Sequence, residues 1–406
     1  MKNPFYFLWL IAGILFFSAC GKPPETEPDL SAFSWDEIVA RAHGTTVNLM
    51  MWQGDPYINR YISDFVAPQL KAQYDIDLRV SSGQGSEIVS LLMTEFEAGK
   101  STGAIDMMWI NGETFYQLRQ IDGLYGPFTQ KLPNAKYIDF ENPFIGTDFQ
   151  QPVDGYECPW GNVQLALIYN SARVSAPPLN MAEIESWVKA NPGRFTLGTD
   201  FTGMTLLKSF LIALAGGGDA LDGPFDQEKY DTFSAQLWDY INRIRPFLWK
   251  EGNDFPAAVA PMHQMFANGE LDFTMSNNDG EVDNKILQGT LPASARAYVL
   301  ESGTIQNSHY MGISRIAANK AGAMVACNFM ISPEAQYEKM KPDVWGDGTV
   351  LDLQKLPAAW QEKFEDIPNR RYAPDREKIR EHALKELAPE YMIRLYADFR
   401  KNVIEN

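Results

Sequence analysis

Trp52-Gln53, Ser82-Gly83-Gln84-Gly85-Ser86, Asn111-Gly112-Glu113, Trp160, Thr202-Gly203, Asn277-Asn278-Asp279 and His309 are the residues of this chain whose types could do chemistry together. That chemistry is recognition. A tryptophan offers a flat face for stacking or cation–π contact and one N–H donor. Ser82, Gly83 and Ser86 lead into one helical pattern and Thr202-Gly203 into another, and backbone N–H groups at a helix start favour an anionic or carbonyl group. Asn111, Asn277 and Asn278 supply uncharged donors and acceptors, and Glu113 and Asp279 add a carboxylate each. Together these suit a cationic or zwitterionic organic molecule slightly better than an anion. Each stretch also has a plainer explanation: Trp52 as core, the glycines as turn formers, Asn and Asp as strand-end turn residues, and His309 as a satisfied structural histidine.

Catalytic and metal chemistry find little support. His43, His263, His309 and His382 are scattered, with no CxxC or HExxH spacing. There is no GxSxG elbow and no GxxxxGK phosphate loop. Glu113 and Asp279 could imitate a glycosidase pair, so an exported enzyme on a binding fold is the alternative, but acid–base work needs defined separations and shifted pKa values. No cofactor and no metal are expected. The net charge of −17 argues against a nucleic-acid partner, since phosphate binding needs clustered Lys and Arg.

The N-terminal residues speak to the compartment. Lys2 precedes an apolar run from Phe5 to Phe17 that ends in Ser18-Ala19-Cys20, the pattern of a cleaved export signal. The run is shorter than the about 20 apolar residues that cross a bilayer as a helix. Cys20 after Ser18-Ala19 resembles a bacterial lipobox, with Phe17 in place of the usual Leu. Residues 1–19 are therefore expected to be a signal peptide, Cys20 the lipidated N-terminus, and 20–40 a Pro-rich charged tether. This places the protein in the bacterial cell envelope, lipid-anchored on the periplasmic or extracellular face. Cys158 and Cys327 could pair or stay buried and free.

The elements that must position the candidate residues alternate. Thr45 to Trp52 reads as a strand broken by Gln53-Gly54-Asp55-Pro56, and Ile58, Tyr61, Ile62, Phe65 and Val66 share one face of a helix that Pro68 should end or kink. Asp77 to Val80 and Ile105 to Ile110 are further strands around a helix carrying Ile88, Leu91, Leu92 and Phe96. Such alternation predicts a doubly wound parallel sheet with ligands at the strands' carboxyl ends. Tyr156 to Asn170 and Ala297 to Ile313 read as crossings to and from a second lobe containing a strand at Phe195 to Thr199, helices at Thr202 to Ala215 and Asp226 to Arg245, and a strand at Leu271 to Met275. The expected fold is α/β and two-lobed, each lobe a doubly wound sheet with flanking helices: residues 41–157 plus 310–345 in lobe 1, 158–309 in lobe 2, and 346–406 as C-terminal helices of unassigned lobe.

Several stretches resemble extracellular solute-binding protein family 1, with its type II periplasmic-binding-protein fold, in a branch associated with ABC importers. They include Asp106-Met107-Met108-Trp109-Ile110-Asn111-Gly112-Glu113, Pro159-Trp160-Gly161, Asp200-Phe201-Thr202-Gly203, Trp249-Lys250-Glu251-Gly252-Asn253-Asp254-Phe255-Pro256, Asn328-Phe329-Met330-Ile331-Ser332-Pro333-Glu334-Ala335-Gln336 and Val344-Trp345-Gly346-Asp347. The resemblance implies a monomeric receptor that closes on a small-molecule solute and docks on the permease of an ABC importer with its ATPase. An oxyanion-binding receptor is the other implied class. No pair of adjacent tyrosines like that of the ferric receptors occurs.

Overall fold

The computed structural model describes residues 30–405. The expected signal peptide, Cys20 and the first part of the tether lie outside them. In the first lobe, β1 (Thr46–Met51), β2 (Asp77–Ser82) and β3 (Met107–Ile110) run parallel, with Leu49 opposite both Val80 and Met107. Val47, Leu49 and Met51 alternate along β1 and are fully buried with Met107 in one apolar layer. Met108 and Ile110 face the other layer with Ile88 and Leu92 of the helix Ser86–Glu97. A sheet apolar on both faces needs helices on both faces.

Between β1 and β2, Asp55 caps the helix Pro56–Arg60, its carboxylate accepting the N–H groups of Tyr57 at 2.7 Å and Ile58 at 3.3 Å. At Pro68, where an end or a kink is expected, the helical run continues. A π-helical segment, Tyr61–Val66, leads into Ala67–Tyr74 and absorbs the missing N–H of the proline.

The stretch before the crossing holds a small hairpin, β4 (Thr147–Asp148) with β5 (Gln151–Pro152). β6 (Glu157–Gln164) then hands over to β7 (Ala166–Asn170). Cys158 and Trp160 belong to the first lobe's core and Leu165 and Leu167 to the second's, so the change of lobe falls later than residue 158. In the second lobe β7 is antiparallel to both β8 (Phe273–Ser276) and β9 (Ala295–Tyr298). The doubly wound parallel pattern expected in both lobes is thus found in the first, where β1, β2 and β3 run parallel, and not in the second. The strand expected at Phe195 to Thr199 is an extended loop: Phe195 accepts from the Trp249 N–H and Thr199 donates to the Pro256 carbonyl, two separate segments that form no ladder. β10 (Thr304–Ile313) returns antiparallel to β3 and β6, and β11 (Ala383–Leu384) pairs with its start.

The C-terminal region divides between the lobes. Trp345, Leu356 and Phe364 pack into the first core, whereas Leu384, Tyr391 and Phe399 pack into the second. The chain therefore crosses a third time, near residues 366–370. Asp283 anchors the far side by accepting the N–H groups of Arg371, Tyr372 and Ala373. At the other end, Ser34 and Glu37 form a capping box on the helix Trp35–Ala42, and Leu30, Ile38 and Ala42 are fully buried in the first core. Folded structure thus begins inside the span expected as tether. Cys158 and Cys327 are free and buried.

Candidate functional site

The loops that end β1, β2 and β3 belong to the first lobe, and the helix Phe201–Leu214 and the strand β8 to the second. Trp52 is half-buried at the end of β1, its indole lying over Gly54, where a Cβ would stand 2.3 Å from the ring. Gly54 therefore permits the tryptophan's placement. Gln53 is exposed, and its carbonyl accepts the Asn59 amide at 3.0 Å. After β2, Ser82 and Ser86 are exposed while Gly83 is buried under Met50, whose sulfur would lie 2.6 Å from an added Cβ.

After β3, Asn111 precedes the helix Gly112–Gln120, whose first turn carries Glu113. The Phe149 ring of the hairpin tip sits where a Gly112 side chain would go, and it is 6.3 Å from the Phe201 ring. This contact draws the two lobes together beside Glu113. The Glu113 carboxyl is raised by burial, which its own backbone N–H and Lys208 oppose and Glu386 reinforces. Its Oε2 is buried without a hydrogen-bond partner.

In the second lobe Asp200 caps its helix, accepting from Gly203 N at 3.0 Å and Val259 N at 2.8 Å. Thr202 Oγ1 accepts from Asn277 Nδ2 at 3.1 Å, which ties the helix start to the end of β8. Asn277 Oδ1 and Asn278 Nδ2 are buried and have no partner, leaving one acceptor and one donor there. Gly203 allows the close approach: its Cβ would meet the Gly198 carbonyl at 1.9 Å.

Both helix starts already hold a carboxylate. Asp200 occupies one, and at the other Glu87 Oε2 accepts the Gln84 N–H at 3.2 Å. A bound anion would have to compete with these groups at the positive end of the dipole.

Three expected contacts stand elsewhere. Asp279 is buried and saturated: it accepts from Gln164 N at 3.0 Å, from Arg376 Nε at 3.1 Å and from Arg370 Nη1. Burial opposes its ionisation, but the two guanidinium groups outweigh this and hold its carboxyl well below the usual range. Its charge is spent inside the protein and does not face a ligand. Trp160 is fully buried, edge-on to Trp109 with ring centres 5.0 Å apart. Strand pairing of β6 with β10 turns its ring into the first lobe's core. His309 is buried beside it, its Nε2 3.0 Å from Asp347 Oδ2, which satisfies it structurally.

Sequence reasoning missed the partners of these groups. Trp345 and Trp109 complete an aromatic cluster with Trp160 and His309. Lys339, fully buried, donates to Asp347 and to the Gly348 carbonyl. Burial brings its ammonium down to about 8, with Asp347 opposing the shift. Val344-Trp345-Gly346-Asp347 carried part of the family resemblance, but nothing local in it points to contacts with β6 and β10. A cavity of ≈ 360 Å³ lies between the lobes at the third crossing, with Met340 and Phe364 on one side and Gly280, Arg370 and Arg376 on the other. Among the described residues no cluster of three or more His, Cys, Asp and Glu could hold a metal ion, and no helix is long and apolar enough to cross a membrane.

Comparison with known proteins follows this architecture. Protein YnjB of Escherichia coli (strain K12) is 37% identical over 338 residues, covering 82% of this chain and 87% of that protein. Among solved structures, the spermidine/putrescine ABC transporter substrate-binding protein PotD of Streptococcus pneumoniae superposes with a TM-score of 0.62 at 17% identity, covering 88% of this chain and 98% of its own. The periplasmic binding protein AfuA of Actinobacillus pleuropneumoniae gives 0.62 at 13% identity, covering 88% and 98%. Both share the type II two-lobed fold. With residues 66–366 matching the family's profile, this chain belongs to the bacterial extracellular solute-binding proteins.

Proposed function

We propose that the chain is the solute receptor of an ABC import system, closing its lobes on a small cationic or zwitterionic organic molecule and presenting it to a membrane permease. The observation that supports this reading is that Glu113 of the first lobe feels Lys208 and Glu386 of the second while its Oε2, Asn277 Oδ1 and Asn278 Nδ2 are buried without a partner. A ligand favours closure only through contacts it makes better in the closed form, so a site built from both lobes is what the mechanism requires. The PotD and AfuA structures are named for a spermidine/putrescine transporter and for bound fructose-6-phosphate, so the fold is compatible with quite different solutes. The lean toward a cation or zwitterion comes from the partnerless Glu113 oxygen and from the carboxylates already seated at both helix starts. It no longer draws on Asp279.

Cys20 is proposed as the lipidated anchor. Replacing it with Ser should release soluble protein, and a Cys20→Ser chain that still partitions with membranes after processing would overturn the assignment.

The test of the receptor reading is a thermal-shift screen of organic cations, zwitterions and oxyanions, preceded by native mass spectrometry of freshly purified protein. A solute at 100 times its dissociation constant stabilises the fold by about 2.7 kcal/mol. A hit among amines or zwitterions, lost in Trp52→Ala, is the expected result. Hits confined to oxyanions would reverse the ligand class. Unchanged binding in Trp52→Ala would remove that residue from the site.

A further inference from the structure

The cavity at the third crossing, ≈ 360 Å³, is at the lower end of the about 300–1,000 Å³ typical of small-molecule sites, and its two walls differ in chemistry. One is apolar. Phe364 is buried in the first core, and Met340, Pro342 and Ile367 are half-buried beside it. The other wall carries the guanidinium groups of Arg370 and Arg376. Both donate to the same oxygen of Asp279, Oδ2, Arg376 through Nε at 3.1 Å, so two cations share one carboxylate and keep donors to spare. Arg376 Nη2 is buried without a hydrogen-bond partner, and its Nη1 lies against Gly348, where a Cβ would stand 2.5 Å away. The carboxylates on the cavity wall are turned to backbone donors. Asp283 holds the N–H groups of residues 371–373, as described above, and Asp375 Oδ1 accepts that of Glu377 at 3.0 Å.

A guanidinium fork with an unused donor, set opposite an apolar wall, selects an anion with an apolar body. The planar fork matches the two oxygens of a carboxylate. A cation would meet two positive charges, and an apolar guest would leave the buried donor unpaired. We propose that this cavity is a second small-molecule site, separate from the solute site at the strand ends, and that it takes a carboxylate carried on a compact apolar body. The carboxylate sits on Arg376 and Arg370, and the body lies along Met340, Phe364 and Ile367.

The experiment is isothermal titration calorimetry with three probes that share one ring: phenylacetate, its neutral amide phenylacetamide, and the cation phenethylamine. Arg376→Gln removes the fork. Ile367→Trp leaves every charge in place and fills the space, so the test stands even where the first variant does not fold. Each protein is first shown to melt cooperatively. Wild type should bind phenylacetate, and the amide and the amine about tenfold more weakly or worse, as the loss of a hydrogen bond to a charged group demands. Both variants should weaken phenylacetate by a similar factor, whereas Trp52→Ala should bind it as wild type does. No binding of phenylacetate to wild type, an amide or amine bound equally well, or unchanged phenylacetate binding in either folded variant would overturn the proposal. Loss of binding in Trp52→Ala would do so too, by placing the probe in the solute site.

Discussion

Glu157, on the crossing strand β6, is fully buried, and neither of its carboxylate oxygens has a hydrogen-bond partner. Burial pushes its carboxyl well up, the nearby Asp148 adds to this, and Arg119 only partly opposes it. Asp148 is raised in the same way by burial and by Glu386 and Glu113, so the two acids titrate as a pair. A group whose pKa is higher folded than unfolded binds more protons when folded, and stability must fall as pH rises above its ordinary pKa. The fall is at most about 1.4 kcal/mol per pH unit, while the folded group keeps its proton. Glu157→Gln removes this dependence, because an amide does not titrate. The variant carries a fixed cost of about 1–3 kcal/mol for any amide N–H left unsatisfied, so the informative quantity is the slope. Urea unfolding of wild type and variant at pH 5, 6 and 7 should show the variant gaining on the wild type at each step. A difference that stays constant across that range would refute the argument, and would mean that the carboxylate is ionised in the folded protein and stabilised by a partner.

Asp279→Asn should cost about 3–5 kcal/mol in urea unfolding, the typical penalty for leaving buried charges such as Arg370 and Arg376 without their partner. Since the folded carboxyl lies below its unfolded value, its contribution is complete above the ordinary Asp range and is lost as pH falls below about 4, which a difference titration of the two proteins checks. Gly203→Ala should destabilise by about 1–3 kcal/mol and weaken solute binding as well, because its Cβ would drive the helix start away from Gly198 and displace Thr202; unchanged melting would show that the loop yields freely. Cys158 and Cys327 should resist a thiol reagent in the native protein and both react in urea, and fast native labelling of either would contradict their burial.

The alternating elements of the first lobe were readable because apolar periodicity reports directly on which face is buried. β1, with Val47, Leu49 and Met51 inward, and the Asp55-Pro56 helix start both follow from local rules. The second lobe was harder. Phe195 and Leu197 alternate like a strand and are buried like one, but strand pairing depends on a neighbour that no local pattern names. The candidate residues divide the same way. Glu113 and Thr202 lie where local rules place them, after a strand and at a helix start. Whether Asp279 faced solute or protein depended on Arg370 and Arg376, which lie some ninety residues along the chain, and the pair of Lys285 with Asp55 spans an even longer separation. Burial of Trp160 was likewise set by Trp345 and His309, reached through sheet pairing and not through spacing.

The third crossing makes the connection between the lobes redundant. A protease cutting the exposed Pro368-Asn369 bend would break one of three covalent links, leaving β6 with β7 and the length of β10 to carry the joint. The released C-terminal fragment would stay docked, since Asp283 grips its first residues, β11 pairs with β10, and Tyr391 and Phe399 lie in the second core. Nicked protein should therefore run as two bands when denatured and elute as a single species when native. If the lobes close on a solute as proposed, a connection of this kind would let them bend toward one another while resisting swivel, so the backbone would guide the path of approach.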